Sequence, residues 1–412
     1  MSTASSEHVL LICYSFPPYS GVGGRRWAKF AKYLTRSGFT VHVICAESRS
    51  GERSLWDMDV NDNPGIIRYP LPALYPRILQ IRPSTLMQKL GYALWTRILP
   101  LFSRGTIYDK ALFWKSRLLR KARAIIREKN IRNVIVTGAP FNLTYFTSIL
   151  KLQDPSLKII TDLRDPWTWG SAYGYGSLSD RRKKFETEKE AQVMALSDYI
   201  TVPVQAMADH LKRLYPALAS KIILLPHAFD EEEVRAYEKR PDKRLRLVFF
   251  GSIYDHLETY MQDLCEVLDK NREMVRLDFY ADSDKYSEIV SAYKLEGTVN
   301  YHSPLNGKEL FRRFAEYDYV LLIYPDYATN YLTTKFFEII ESRTPILYIG
   351  NHGYTAEFIT QNKIGIYLPP AEIKKGIQKL IENKKMEDYN YSYDNSGFSF
   401  SSVCGQLIGL LR

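Results

Sequence analysis

The chain has 412 residues, too many for one ordinary core, and 45% hydrophobic and 25% charged residues predict a globular protein of two domains rather than a disordered one. Its formal net charge is +10, and its longest apolar stretch, residues 90–102, contains Arg97 and is too short to span a bilayer. The polar first seven residues predict no signal peptide, and four cysteines without metal-like spacing predict reduced thiols in a cytoplasmic protein.

The first elements predict a β-loop-α-β unit. In order, they are a strand at 8–14, a loop at 16–24, a helix that ends at Gly38 and a strand at 40–45. Gly23 and Gly24 would let a ligand approach the backbone, and Arg25 and Arg26 place cations at the start of the helix. The loop lacks the G-x-G-x-x-G spacing, which disfavours a nicotinamide site. A simple glycine turn is the alternative.

Residues 67–130 break the alternation of strands and helices. Residues 77–129 hold thirteen Lys or Arg against two acids, Asp109 and Glu128, so nearly all the net charge lies there. Interleaved apolar and aromatic residues suit an amphipathic surface on anionic lipid, or a patch for an acidic or lipid-linked substrate. The alternative is a solvated basic helix whose apolar residues pack inward.

The alternating pattern then resumes. Strands are predicted at 133–137, 158–163, 199–203 and 222–225, with helices at 142–152, 185–196 and 204–214. Arg164 and Asp165 directly follow the strand at 158–163, at the carboxyl edge of the sheet, where open α/β sheets bind ligands. Residues 231–244 are rich in charge and mark a domain boundary.

The second half repeats the pattern. Its strands are predicted at 245–250, 275–280, 298–302, 319–323, 346–349 and 364–368. The first of them ends in Gly251 and Ser252, where the backbone could approach a phosphate. The fold class is therefore α/β, with two Rossmann-like, doubly wound domains expected to face each other across a cleft. We assign residues 1–235 and 236–395 to these domains, and 396–412 to a helix that returns to the first.

Residues 329–350 predict a capped helix followed by a buried strand. Thr333 or Thr334 would cap the helix, which must end before Pro345. Such a helix start attracts anions, Lys335 adds a positive charge, and Glu338 could hold a diol. This combination suits a sugar nucleotide. The alternative is an ordinary capped helix with a surface Lys–Glu pair.

Together these segments resemble the GT-B glycosyltransferases of family 4, the glycosyltransferase group 1 superfamily, over residues 8–368. The segments that carry the resemblance are 16–18, 21–24, 161–167, 198–202, 226–230, Gly251 and 334–338. The resemblance implies transfer of a sugar from a nucleotide-sugar donor with retention of configuration. It also implies no cofactor or divalent metal, a donor mainly on the C-terminal domain and an acceptor mainly on the N-terminal one.

By the same resemblance, Glu338 corresponds to the second glutamate of the family's Glu-x7-Glu motif, which holds the ribose. The first glutamate falls at Asn330, a departure that leaves the donor sugar open. The family's Arg/Lys pair after the Gly251 strand is not evident, so Lys335 is the candidate for neutralising the diphosphate. Asp165 is the candidate for orienting an acceptor hydroxyl. The remaining candidates are Gly251, Ser252, Thr333 and Thr334 for the donor, and Gly23, Gly24 and Arg25 for the acceptor or a phosphate.

The resulting hypothesis is a glycosyltransferase with a UDP-sugar as the expected donor and a glycan or lipid-linked acceptor in cell-surface polysaccharide synthesis. The basic segment predicts attachment to the inner face of an anionic cell membrane. Two alternatives are a sugar-nucleotide epimerase of the same fold and a non-catalytic sugar- or lipid-binding protein. Nucleic acid is not an expected partner, because only the charge favours it and no nucleic-acid-binding module is visible.

Overall fold

The computed structural model describes residues 7–19, 22–48, 54, 56–81, 83–170, 172–233, 243–305, 307–330, 332–383 and 389–412. Ser20 and Gly21 of the predicted glycine loop, Tyr331, and most of the charged boundary at 231–244 lie outside these residues. The chain divides into two compact units, the first formed by Met1–Pro226 with Cys404–Arg412 and the second by His227–Val403.

The first unit contains a parallel sheet with helices between its strands. Its strands are β1 Glu7–Ile12, β2 Phe39–Ala46, β3 Ile66–Leu71, β4 Asn133–Gly138, β5 Lys158–Leu163, β6 Tyr199–Val202 and β7 Ile222–Leu224. Its helices are α1 Arg25–Arg36, α2 Leu86–Ile98, α3 Lys115–Lys129, α4 Phe141–Gln153, α5 Asp180–Leu196 and α6 Gln205–Leu214. The described strands lie in the order β3-β2-β1-β4-β5-β6-β7, so the order reverses between β1 and β4.

Two parts of the basic segment differ from the expectation for 67–130. β3 extends the sheet as an edge strand beside β2, where Pro70 can be accommodated. α3 is an ordinary packing helix, because Leu118, Leu119 and Ala122 are buried in the core on the sheet. The part of this segment that departs from the α/β pattern is therefore residues 72–114.

The second unit repeats the architecture. Its strands are β8 Leu245–Phe250, β9 Val275–Tyr280, β10 Val299–His302, β11 Tyr319–Ile323, β12 Ile346–Ile349 and β13 Gly365–Leu368. Its helices are α7 Glu258–Lys270, α8 Ser287–Ala292, α9 Gly307–Phe314, α10 Thr334–Ser342, α11 Tyr354–Gln361 and α12 Ile373–Asn383, followed by α13 Phe400–Leu411. The described strands lie in the order β10-β9-β8-β11-β12-β13, with all pairs parallel, so the order reverses between β8 and β11.

These reversals matter because open α/β sheets bind ligands outside the carboxyl ends of the strands at such a point. In the second unit, Gly251 follows β8, and the loop that leads into α10 follows β11. In the first unit, the glycine loop follows β1, and residues 139–140 follow β4. The candidates after β1, β8 and β11 therefore lie where this rule places a ligand, and Asp165 follows the next strand of the first sheet, β5.

The last helix and the cysteines complete the fold. The Nζ atom of Lys158 donates to the carbonyl oxygens of Leu410 and Leu411, each at 3.2 Å, within the first unit. All four cysteines are free and buried, as the sequence predicts. Among the described residues, no helix is both long and apolar enough to cross a bilayer.

Candidate functional site

Lys335 and Gly251 are in direct contact at the reversal point of the second sheet. Gly251 has a φ of +91°, and a Cβ atom built on it would lie 2.6 Å from Cε and 2.8 Å from Nζ of Lys335. Only glycine combines this backbone conformation with room for the lysine side chain. The structure thus brings together two residues that the sequence predicted as donor contacts from separate segments.

The ammonium group of Lys335 has an unusual environment. It lies 4.6 Å from the centre of the Phe249 ring, and the side chain is partly buried. Burial lowers the pKa of Lys335 to about 8, although the nearby carboxylates of Asp282 and Glu338 act in the opposite direction. Within the described part of the chain, the ammonium makes no hydrogen bond or ion pair. A partly desolvated cation of this kind favours binding of an anion.

Ser252 and Asp282 flank this lysine from the ends of two neighbouring strands. The Ser252 hydroxyl donates to Oδ2 of Asp282 at 2.7 Å, and both side chains are exposed. The hydroxyl of Ser252 is therefore held by a carboxylate. The prediction that Ser252 approaches a phosphate concerns its backbone, next to Gly251, and stays a prediction.

The start of α10 differs in one respect from the prediction. Thr333 occupies the N-cap position with an extended backbone, and its carbonyl accepts from the Phe336 amide at 3.0 Å. Its hydroxyl does not cap the helix, however, because it lies 2.8 Å from the Tyr324 hydroxyl. Thr334 is the first helical residue, so it does not cap the helix either. The first turn therefore has no side-chain cap; the Phe336 amide is bonded to Thr333, and the amides before it are the ones that an anion at the helix start would use.

Tyr324 contacts this helix start through Thr333, and two further tyrosines pack on Tyr324; the sequence indicated none of the three. Tyr324 contacts Tyr254 edge-to-face at 5.8 Å and Tyr348 edge-to-face at 5.6 Å, measured between ring centres. Burial raises the pKa of the Tyr324 phenol well above its usual value. The only sequence signal was the large number of tyrosines, 30 in the chain, which does not say which of them converge.

Glu338 and Asn330 have contrasting positions. Glu338 is 7% exposed, one turn along α10 from Lys335, as the helical spacing predicts. Asn330 is exposed, and its Oδ1 accepts from the backbone amide of Tyr354 at 3.0 Å, at the start of α11. The residue at the position of the family's first glutamate thus has a structural contact of its own. The ligand contacts predicted for both residues remain predictions.

In the first unit, Arg164 connects the loops at the reversal point. Its NH1 atom donates to the carbonyl of Gly23 at 2.7 Å, and its NH2 atom donates to the carbonyl of Ala139 at 2.9 Å. A Cβ atom on Gly23 would lie 3.2 Å from NH1, and one on Gly24 would lie 3.5 Å from the carbonyl oxygen of Ser15. An added Cβ would therefore be crowded at Gly23, whereas at Gly24 it would make only ordinary van der Waals contact.

The two arginines after the glycine loop are buried. Arg25 is 5% exposed and Arg26 is 4% exposed, so neither is a surface cation at the helix start. Arg26 donates to both carboxylate oxygens of Asp162, at 3.1 and 3.3 Å, and Asp162 also accepts from Trp27 at 3.0 Å. Asp162 is fully buried with further hydroxyl donors, so this group stabilises the unit. Arg26 lies at the start of α1, as predicted, but its charge is paired with Asp162 in the core.

Asp165 lies in the loop after β5, half-exposed, next to Arg164. Trp167 fixes this loop, because its ring stacks on Phe141 with 4.8 Å between ring centres and an interplanar angle of 6°. Its indole N–H donates to Oε2 of Glu186 at 2.9 Å. The carboxyl-edge position predicted for Asp165 is therefore observed, and Glu186 is a supporting residue that no motif indicated.

Helix α2 presents an apolar surface. None of its residues is buried, and Leu86, Met87, Leu90 and Leu94 are 73%, 78%, 58% and 57% exposed. We call these four residues the α2 apolar face; Leu101 and Phe102, 81% and 64% exposed, continue it beyond the helix. The exposed cations Lys89, Arg97 and Arg104 lie in the same segment. An inward-packed basic helix, the alternative reading of the sequence, therefore does not describe α2.

Comparisons with known proteins concern the fold. No protein-family model matches the sequence, and no curated protein sequence matches it. Solved structures do: sucrose-phosphate synthase from Thermosynechococcus elongatus is 12% identical with a TM-score of 0.66, covering 98% of each chain. HepE of Anabaena in complex with UDP is 11% identical with a TM-score of 0.61, covering 98% of this chain and 99% of that one.

A third similar structure is a putative UDP-N-acetylglucosamine 2-epimerase from Listeria monocytogenes. It is 12% identical with a TM-score of 0.59, covering 99% of this chain and 96% of the other. At such identities the similarity shows the fold and not the activity. The predicted fold class, two Rossmann-like α/β domains of the GT-B type, is confirmed.

Proposed function

We propose that this chain is a GT-B glycosyltransferase of the family 4 type that transfers a sugar from a UDP-sugar to a glycan or lipid-linked acceptor. The observation that carries the proposal is the ammonium of Lys335, held against Gly251 beside the uncapped start of α10. A diphosphate at this position would meet a positive charge and the first amides of a helix together. The structural similarity to glycosyltransferases, and to a protein bound to UDP, supports the same assignment.

The chemistry follows from the leaving group. When the bond to the anomeric carbon breaks, negative charge grows on the departing diphosphate, and Lys335 with the α10 amides would stabilise it. Glu338 would accept hydrogen bonds from the ribose hydroxyls. In a retaining front-face displacement, the leaving phosphate oxygen takes the acceptor's proton, so no carboxylate nucleophile is needed. Asp165 would orient the acceptor hydroxyl.

The α2 apolar face supports a peripheral membrane location in cell-surface polysaccharide synthesis. Exposed leucines within a strongly basic segment match the chemistry of an anionic bilayer, which offers hydrocarbon and negative headgroups together. We place the enzyme on the cytoplasmic face of the cell membrane, where a lipid-linked acceptor would be within reach.

A donor panel tests this function. UDP-glucose, UDP-galactose, UDP-glucuronate and UDP-N-acetylglucosamine are screened by thermal shift and calorimetry, and UDP release is measured with membrane extract as the acceptor source. Acceptor-dependent UDP release supports the proposal. Conversion of one UDP-sugar to its epimer without an acceptor would instead identify an epimerase, the alternative that the Listeria structure keeps open. Failure of UDP and all donors to bind would contradict both.

Metal dependence is a separate expectation. We propose that Lys335 replaces a divalent cation at the diphosphate, so that turnover continues in EDTA. Complete loss of activity in EDTA, restored by Mg²⁺ or Mn²⁺, would contradict it.

A further inference from the structure

Glu186 lies in the middle of α5. It is buried beneath residues 164–170, which we call the Asp165 loop, and beneath residues 100–106, which follow α2. Its side chain is 1% exposed. Oε1 accepts from the Thr106 amide at 2.8 Å and from Nζ of Lys189 at 2.9 Å, while Oε2 accepts from the Trp167 indole at 2.9 Å. One carboxylate therefore joins two segments that are about sixty residues apart in sequence, and Lys189 balances its charge.

Glu186 and its helix closely contact residues 86–108, which we call the α2 segment. A Cβ atom on Gly105 would lie 1.6 Å from Oε1 of Glu186, so the backbone at 105 passes directly over the carboxylate. Arg182, on the same helix as Glu186, donates to the carbonyls of Gly105 and Pro100 at 2.7 and 3.1 Å. Residues 100–106 are thus fixed to α5 immediately after α2 ends at Ile98.

Helix α2 has a second connection to the same region. The Tyr92 hydroxyl, on α2, lies 3.2 Å from the Tyr108 hydroxyl. The Tyr108 ring in turn packs on Gly174, where a Cβ atom would lie 2.4 Å from the ring. Gly174 belongs to the continuation of the Asp165 loop. The chain after α2 therefore contacts the continuation of the loop directly, through Tyr108 and Gly174, and contacts the loop indirectly through Glu186.

On the other side, Trp167 lies two residues after Asp165, and the Thr168 amide donates to Oε2 of Glu190 at 3.0 Å. Glu190 is one turn from Glu186 on α5 and is also 1% exposed. Hydrogen bonds to buried carboxylates are short and strong, because little water competes for them. The position of Asp165 is therefore set by the same helix that holds the end of the α2 segment.

We propose that Glu186 is a positioning residue that couples the α2 segment to the Asp165 loop, so that docking of α2 on an anionic bilayer orders the loop. The inference rests on the membrane docking in the proposed function and adds its effect on the acceptor side. Docking would restrain the exposed helix α2; because residues 100–106 join α2 to Glu186, and Glu186 holds the Trp167 indole, the restraint would pass to the loop.

Hydrogen exchange with mass spectrometry tests the coupling on the full chain. Vesicles of phosphatidylglycerol should slow exchange of the amides in 86–98 and, about threefold or more, of those in 164–170. Vesicles of phosphatidylcholine should do neither. In Glu186→Gln the protection of 86–98 should persist, while that of 164–170 is lost. Glu188→Gln, an exposed position on the same helix, should behave as the unmodified chain does.

Trp167→Phe guards against a folding artefact, because it keeps an aromatic ring on Phe141, retains both partners of the Glu186–Lys189 pair and removes the indole donor. It should match Glu186→Gln. If both variants keep the protection of 164–170, or if the unmodified chain protects 86–98 alone, the coupling is wrong and the docking stands. If phosphatidylglycerol protects neither segment, the docking is wrong, and the coupling fails with it.

Discussion

The Lys335 ammonium rests on the Phe249 ring and against Gly251, so a residue of α10 occupies the space above the end of β8. Residues 252–258, directly after Gly251, contain no Lys or Arg, and Lys335 supplies a positive charge at the same strand end. The phosphate site proposed here therefore depends on one lysine and on the glycine that makes room for it.

Gly251→Ala should displace Lys335 and weaken UDP binding at least tenfold. The added Cβ atom would clash with Cε and Nζ of the lysine, and a non-glycine residue at positive φ costs about 1 kcal/mol. Gly297→Ala is the matched control, because Gly297 has a φ of +90° and nothing within 4 Å of an added Cβ atom. Calorimetry should show UDP binding reduced only in the first variant; equal affinities would remove Lys335 from the site.

Lys335→Met should reduce UDP affinity and turnover while stabilising the protein. A charge-assisted contact contributes about 1.5–3 kcal/mol, or roughly 10- to 150-fold in affinity. Removing a partly buried charge should meanwhile raise Tm by about 2 °C. Lys270→Met, at an exposed position in the same unit, should change neither. Unchanged turnover in Lys335→Met would contradict the phosphate role.

UDP affinity should fall as the pH rises through about 8. The pKa of Lys335 is lowered to about 8, so the lysine is charged below this pH and neutral above it. UDP binding that requires the charged form should weaken about tenfold between pH 7 and pH 9. Below pH 8 the lysine is charged in the folded and the unfolded protein, and its lowered pKa reduces the free energy of unfolding. This loss of stability disappears as the pH rises from about 8 to the pKa of the unfolded state, near 10.4. A flat affinity profile that matches Lys335→Met would show that the charge has no role.

Glu338→Gln should weaken UDP binding by about 1.5 kcal/mol or more, because the carboxylate is predicted to bind the ribose. The unmodified chain should also discriminate UDP from 2′-deoxy-UDP, and the variant should not. The glutamine has nearly the same shape as the glutamate, so the 7% exposed position keeps its packing. Equal discrimination in both proteins would leave Glu338 as a structural residue of α10.

Phosphatidylglycerol vesicles should co-sediment with the chain, and phosphatidylcholine vesicles should not. Each Lys or Arg at an anionic surface contributes about 1 kcal/mol, so exchanging Arg97, Arg104, Lys115 and Arg117 for Glu should abolish binding. All four are exposed, so the variant should remain folded. Undiminished binding by this variant would leave the segment as an ordinary basic surface.

The α2 apolar face should supply the part of this binding that salt does not screen. Leu90→Gln with Leu94→Gln should convert partial release in high salt to complete release. The charge reversals in the basic segment have a matched control in the second unit. There, exchange of Lys270, Lys375 and Lys379 for Glu should leave vesicle binding as it is in the unmodified chain.

The sequence by itself determined all the strands except β3, and the edge at which candidate residues lie. The strands at 245–250, 275–280 and 319–323 match the structure to the residue, because apolar runs bounded by turn residues have few other ways to be buried. Because the strands of each sheet are parallel, the loops that follow them lie at the carboxyl edge of that sheet. This is why the positions of Gly251 and Asp165 could be predicted. β3 was missed, because a half-exposed edge strand containing Pro70 has no clear period.

Only the tertiary structure decided which polar residues face solvent and which are paired in the core. Arg26 and Asp162 are 136 positions apart, and Thr106 and Glu186 are 80 apart, so no local pattern shows that each pair is buried. Asn330 accepts from a backbone amide 24 residues away, and its spacing in a motif does not reveal this. Periodicity reports which face of an element is apolar, whereas the partner of a charged side chain depends on chain segments that only folding brings together.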